Sequence, residues 1–228
     1  YLLAAMFTSA TAFSLSLIST AALTRRGVDA VSAAEHVVHS AWVSLAFVGA
    51  GAGLVALLGG RIVTALLGQA YAGDVGDELG KLVVYLSPWM VANAAFSITY
   101  PLMFVMHRTR LLIPIAAAGV LVDIPISIVA RSLWGLTGVT FALGIASLVL
   151  VLGLMASLSL RMLAISVLGL ARLSLLVGAA TALAFGGASL VLSAVPAAAA
   201  GLALYALLLI AMRELGLSQA WHYVRALH

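Results

Sequence analysis

The sequence predicts an all-α protein, a polytopic bundle of transmembrane helices, on three observations. First, the 228 residues are 64% hydrophobic and only 8% charged, with a mean hydropathy of +1.23. A soluble domain is about 45–50% apolar and about 25% charged, and a water-soluble fold of this size could not hide so much apolar surface. Second, the charges cut the chain into apolar runs of about 20 residues, the length that crosses about 30 Å of hydrocarbon. Third, the sparse basic residues gather in alternate connections between those runs. Together these exclude a soluble enzyme, a disordered chain and a disulfide-stapled secreted domain. With no cysteine, there is no disulfide framework, thiol nucleophile or thiolate metal site. The net charge of +4 rests on lone arginines between apolar runs. That pattern orients a membrane protein and does not point to nucleic acid.

Seven spans follow in order: Leu2–Leu23, Val37–Leu58, Leu82–Met106, Leu111–Ala130, Leu133–Leu160, Leu173–Leu192 and Val195–Met212. Lipid-facing backbone must satisfy its own hydrogen bonds, so each is helical. Arg61–Tyr71 is too short to span and is expected at the interface, as are Met162–Ala171 and the tail Leu217–His228. Tyr1 opens directly into an apolar run without a basic leader or a cleavage site. A chain that starts mid-protein is the expectation.

Orientation follows from the arginines. Arg25, Arg26, Arg108, Arg110, Arg161, Arg172, Arg213 and Arg225 fall on one side, and Arg61, Lys81 and Arg131 on the other. The positive-inside rule places the larger group in the cytoplasm, with the N-terminus of this chain outside and its C-terminus inside. Asp74, Asp77 and Glu78 then share one outer loop.

Asp123 stands well inside the fourth span, in Leu121-Val122-Asp123-Ile124-Pro125. An acid at the centre of a span costs about 2.5–3.5 kcal/mol on insertion scales, so it must face a bundle interior or a wet cavity. Pro125 has no N–H, which frees the Leu121 carbonyl, and Ser127 lies one turn on. Carboxylate, carbonyl and hydroxyl suit a small hard cation, so the residues point to a proton or Na⁺ site; a packing hydrogen bond to a neighbouring helix is the alternative. In the third span Asn93, Ser97, Tyr100 and Phe104 share one helix face between Pro88 and Pro101, which should bend the helix. This face is the wall of a hydrated cavity or a set of interhelical hydrogen bonds.

The hydroxyls of the first span (Thr8, Ser9, Thr11, Ser14, Ser16, Ser19 and Thr20) read as close helix packing. Gly49-Ala50-Gly51-Ala52-Gly53 lies within an apolar span and reads as packing through Gly49 and Gly53. His36 and His39 stand near a helix start and lack a third metal ligand in view. No grouping for covalent or acid–base catalysis is visible, so an enzyme is not expected.

Several segments, in order, resemble the multidrug/oligosaccharidyl-lipid/polysaccharide exporter superfamily, and within it the lipid II flippase or polysaccharide flippase branch. Ile18-Ser19-Thr20-Ala21-Ala22-Leu23 is similar to the family's small-residue helix end. Leu66-Leu67-Gly68-Gln69-Ala70-Tyr71-Ala72-Gly73-Asp74 is similar to its glycine-and-aromatic closure. His107-Arg108-Thr109-Arg110-Leu111-Leu112-Ile113-Pro114 resembles its basic turn between two helices, and Trp134-Gly135-Leu136-Thr137-Gly138 its entry to the next helix. The resemblance covers the chain to about Ser159.

It implies the C-terminal lobe of a two-lobed flippase. Residues 1–160 would be five core helices, and residues 161–228 two additional helices with a cytoplasmic amphipathic tail. The N-terminal lobe of the same protein would be the missing partner. The implied location is a bacterial cytoplasmic membrane, and the implied cargo a lipid-linked oligosaccharide or peptidoglycan precursor. No cofactor beyond a coupling Na⁺ or H⁺ is implied. The family's sodium site falls on the helix of Asp123, with Thr137 and Thr140 at the start of the partner helix; Ser127, one turn from Asp123, completes the expected ion site, while Asn93, Ser97 and Tyr100 would line the cavity. A drug/cation antiporter of the same superfamily and a non-transporting membrane scaffold are the alternatives.

Overall fold

A computed structural model describes residues 30–212. The first span, Leu2–Leu23, the tail Leu217–His228 and the arginines at 25, 26, 213 and 225 lie outside the described residues. Every regular element among the described residues is a helix: α1 (Ala30–Leu67), α2 (Asp74–Tyr85), α3 (Ser87–Val105), α4 (Leu112–Leu158), α5 (Leu160–Thr181), α6 (Gly187–Ser189) and α7 (Ala194–Met212). Short 3₁₀ turns at Gln69–Tyr71 and Thr109–Leu111 join α1 to α2 and α3 to α4, and a π turn at Ala182–Gly186 joins α5 to α6.

Four helical stretches are long and apolar enough to cross a membrane: Val31–Leu67, Thr109–Leu158, Leu160–Ser189 and Ala194–Met212. Together α2 and α3 make a further one, bent by 44°. The bend has a local cause. Pro88 cannot donate to the Val84 carbonyl, and the Ser87 hydroxyl takes that carbonyl instead at 2.6 Å. The second proline, Pro101, sits inside α3 without ending it.

As a straight rod, α4 would be about 70 Å long. It is not straight, because Gly135 (φ 60°, ψ −137°) breaks it into two arms, 112–134 and 136–158. This conformation is open only to glycine. The arms fold back on each other. A Cβ added at Gly119 would meet Leu150, one at Gly153 would meet Ile115, and one at Gly138 would meet the Ala130 carbonyl. The paired numbers converge on Gly135, which is the signature of an antiparallel hairpin. The fourth and fifth spans are therefore separate helices, joined at Trp134-Gly135.

The remaining contacts fix the other directions. Ser157 donates to the Met103 sulfur at 3.5 Å, and Gly144 lies against Pro88, so α3 and the second arm of α4 run parallel. Val38 with Gly169 and Gly53 with Phe185 make α1 and α5 parallel, whereas Gly59 with Gly80 and Gly60 with Asp77 make α1 and α2 antiparallel. Gly49 with Tyr205 and Gly201 with Phe185 bring α7 back against α1 and α5. Helix direction thus alternates from α1, through α2–α3, the two arms of α4 and α5, to α7. A small cluster around Val48, Val83 and Trp89 packs α1, α2 and α3 together, and a larger core buries Leu45, Leu102, Leu154, Met155, Met162, Val177 and Tyr205. The boundary at residues 160 and 161 falls at the start of α5, beside Ser159, whose side chain accepts the backbone N–H groups of Arg161 and Met162. Side chains from both sides of it share this core.

Two expected interfacial segments take other forms. Arg61–Leu67 continues α1, which is about 57 Å long and outreaches the hydrocarbon. Met162–Ala171 is the first part of a continuous α5, with Met162 and Ser166 fully buried. Arg172, expected in a connection, is exposed on the side of α5.

Candidate functional site

Asp123 and Ser127 lie on the first arm of α4, and both are half-buried. The Ser127 hydroxyl donates to the Asp123 carboxylate at 3.1 Å, so the i, i+4 pair expected from the sequence is formed. Asn93, Ser97 and Tyr100 lie on α3. Asn93 and Ser97 are half-buried and Tyr100 is exposed. The Ser97 hydroxyl donates to the Asn93 carbonyl at 2.9 Å, which occupies a backbone acceptor within the helix.

These two groups share a depth. Val105 ends α3 and Leu112 starts α4, at the two sides of the turn that carries Arg108 and Arg110. Counted from that turn at 1.5 Å per residue, Asn93 lies about 18 Å in and Asp123 about 17 Å in. That is roughly half the thickness of a hydrocarbon core plus a few ångströms. Polar side chains of two successive helices therefore stand near mid-depth along the helix axes.

Thr137 and Thr140 are not brought to Asp123. The hairpin register sets Asp123 against residues near Ile145 on the second arm. Thr137 then lies about 12 Å, and Thr140 about 8 Å, nearer the Gly135 turn. Instead Thr140 donates to the Thr137 carbonyl at 2.7 Å. Thr137 borders a cleft of about 470 Å³ with Asp74, Asp77, Glu78, Lys81 and Tyr85. Of the four residues expected to form one ion site, the structure brings together Asp123 and Ser127 and leaves Thr137 and Thr140 apart from them. The described residues hold no group of three or more His, Asp or Glu side chains arranged for a metal ion.

Asn93, Ser97 and Tyr100 do not line the apolar cavity inside the bundle. That cavity, about 780 Å³, lies between α1, α3 and α5 and is lined by Gly49, Gly53, Pro88, Val91, Val177 and Phe185, among others. The Asn93 strip occupies the opposite side of α3 from Pro88 and Val91, on the outside of the described bundle. Phe96 joins it: its ring stacks on Tyr100 at 5.5 Å, and Tyr100 meets Phe104 edge-on at 5.3 Å. The strip is thus a run of aromatic rings beside two polar side chains.

Sequence reasoning missed the apolar cavity. Its signal was the small-residue run at Gly49–Gly53, read there as helix packing. Packing is what Gly49 and Gly53 do. Gly49 receives Tyr205, Thr181 and Val177, and Gly53 receives the Phe185 ring. The Tyr205 hydroxyl donates to the Ala46 carbonyl at 2.8 Å and ties α7 to α1. The π turn adds Ala182, Phe185 and Gly186 to the lining of the void beside these contacts, and no sequence spacing announces that turn. His36 is buried on α1 with its Nδ1 3.4 Å from the Ser40 hydroxyl, and His39 is half-buried one turn on. No family model, curated protein or solved structure matches this chain.

Proposed function

We propose that this chain is one helical lobe of a flippase that carries a lipid-linked oligosaccharide or peptidoglycan precursor across the bacterial cytoplasmic membrane by ion-coupled alternating access. The observation that carries this reading is the mid-depth polar strip. Its deciding member is Asp123, whose half-buried carboxylate takes the Ser127 hydroxyl at a depth where lipid tails offer no further hydrogen-bond partner. Such a face needs water or another polar surface against it. A second lobe across a hydrated cavity supplies both, and rocking of the two lobes about a midplane site is how such carriers work. Asp123 with Ser127 is the coupling-ion pair, for H⁺ or Na⁺, and the apolar cavity beside α3 has the lining a hydrocarbon tail requires. The arginine-bearing turns face the cytoplasm in this reading.

Translocation of a lipid-linked glycan by the full-length protein in proteoliposomes tests it. Asp123→Asn is expected to leave the protein folded and to abolish ion-driven translocation. Retained ion-driven translocation removes Asp123 from the mechanism. A wild-type protein that moves no lipid-linked glycan overturns the reading as a whole.

A further inference from the structure

Two turns stand side by side at one end of the bundle. The first, His107–Arg110, joins α3 to α4, and the second, at Ser159, joins α4 to α5. The Ser157–Met103 contact at 3.5 Å holds the helices that enter them together. Arg108, Arg110 and Arg161 project from these turns, and His107 with them; all four residues are exposed. None of the three arginines has a carboxylate partner among the described residues. Of the five described carboxylates, Asp74, Asp77 and Glu78 lie toward the Gly135 end and Asp123 lies at mid-depth. Only Glu35, exposed on the second turn of α1, is at this end.

The first turn is also rigidly built. The Arg108 N–H bonds the Met103 carbonyl at 2.8 Å and the His107 N–H bonds the Phe104 carbonyl at 3.2 Å, the paired bonds of a Schellman cap. His107 occupies the left-handed position at φ 54°, where glycine is the usual residue. Apolar surface flanks the arginines, with Ile113 81% and Leu160 74% exposed. An orientation signal requires arginines only somewhere on one side of the membrane. It does not require two of them on a capped turn and a third at the neighbouring turn, next to bare leucine and isoleucine.

We propose that this end of the bundle binds the phosphodiester headgroup of an anionic phospholipid, with Arg108, Arg110 and Arg161 as its phosphate ligands and Ile113 and Leu160 against its acyl chains. Guanidinium groups match phosphate oxygens in pairs, and a basic residue near an anionic membrane surface strengthens binding by about fivefold.

The test is native mass spectrometry of the full chain in detergent, where insertion topology plays no part, with phosphatidylglycerol and phosphatidylcholine titrated separately. The wild type is expected to retain phosphatidylglycerol at least tenfold more tightly than phosphatidylcholine. The triple variant Arg108→Gln/Arg110→Gln/Arg161→Gln should lose that preference. Arg61→Gln/Lys81→Gln/Arg131→Gln, at the opposite end, should keep it. A triple arginine-to-lysine variant at 108, 110 and 161 keeps the charge but not the paired geometry, controls for folding and should show an intermediate preference. Equal retention of the two lipids by the wild type, or a preference untouched by the first triple variant, overturns the proposal. Displacement of the lipid by millimolar inorganic phosphate would overturn the assignment to a lipid, because the acyl contacts are predicted to hold it.

Discussion

The hairpin within α4 can be tested with two cysteines, because the chain has none of its own. In the folded arms, a Cβ on Gly153 would lie 3.3 Å from Cγ2 and 3.9 Å from Cγ1 of Ile115, the position a cysteine sulfur would take. As an unbroken helix, the same positions would be about 57 Å apart, at 1.5 Å per residue. No relaxation bridges that difference. Disulfides need Cβ atoms about 3.5–4.5 Å apart. The double variant Ile115→Cys/Gly153→Cys is therefore expected to cross-link under mild oxidation. Arg131, exposed near the turn, provides the readout. Trypsin cleaves there and at the exposed Arg110 and Arg161, so fragments 111–131 and 132–161, which carry the two cysteines, should run joined when oxidised and separate when reduced. The control Ile113→Cys/Gly153→Cys places one thiol on a residue 81% exposed and should not cross-link. Failure of the first pair with normal folding, or equal cross-linking of both pairs, would refute the hairpin and with it the register that sets Asp123 against Ile145.

Two further substitutions test the local physics. Gly135→Ala has open space around the new methyl group, so its whole cost is backbone strain of about 1–3 kcal/mol; a lowered melting temperature in detergent checks it, and an unchanged one contradicts the turn geometry. Tyr205→Phe removes the hydroxyl bond to the Ala46 carbonyl while keeping the ring. Interhelical hydrogen bonds in membranes average about 0.6 kcal/mol and reach about 1.7, so a small loss of thermal stability is expected.

The spans were legible because an apolar run of fixed length has few uses other than crossing lipid. Val195–Met212 matches α7 within one residue, since Ser193 and Arg213 bound a clean apolar stretch. Gly135 was legible as the start of a helix, and its left-handed backbone is the reason the chain can turn there. Other features depend on how helices pack, which a run of residues does not encode. Arg172 interrupts the apolar pattern, yet a long side chain on an exposed helix face reaches away from its neighbours without breaking the helix. Residues 162–171 therefore belong to α5. The register that parts Thr137 and Thr140 from Asp123 follows from where the hairpin turns and how closely Gly138 lets its second arm approach Ala130. Along the sequence, four polar residues on adjacent helices looked like one site; the hairpin places two of them near its turn.

The most direct test of the proposed function asks whether the strip at Asn93, Ser97 and Asp123 meets water. Single cysteines at these positions in the full-length, membrane-embedded protein should react with a membrane-impermeant thiol reagent. Leu121→Cys and Ile128→Cys, on exposed apolar surface of the same arm as Asp123, should react far more slowly. Uniform protection of 93, 97 and 123 at the level of 121 and 128 would mean that the polar strip only packs helices together, and the transport reading would fall.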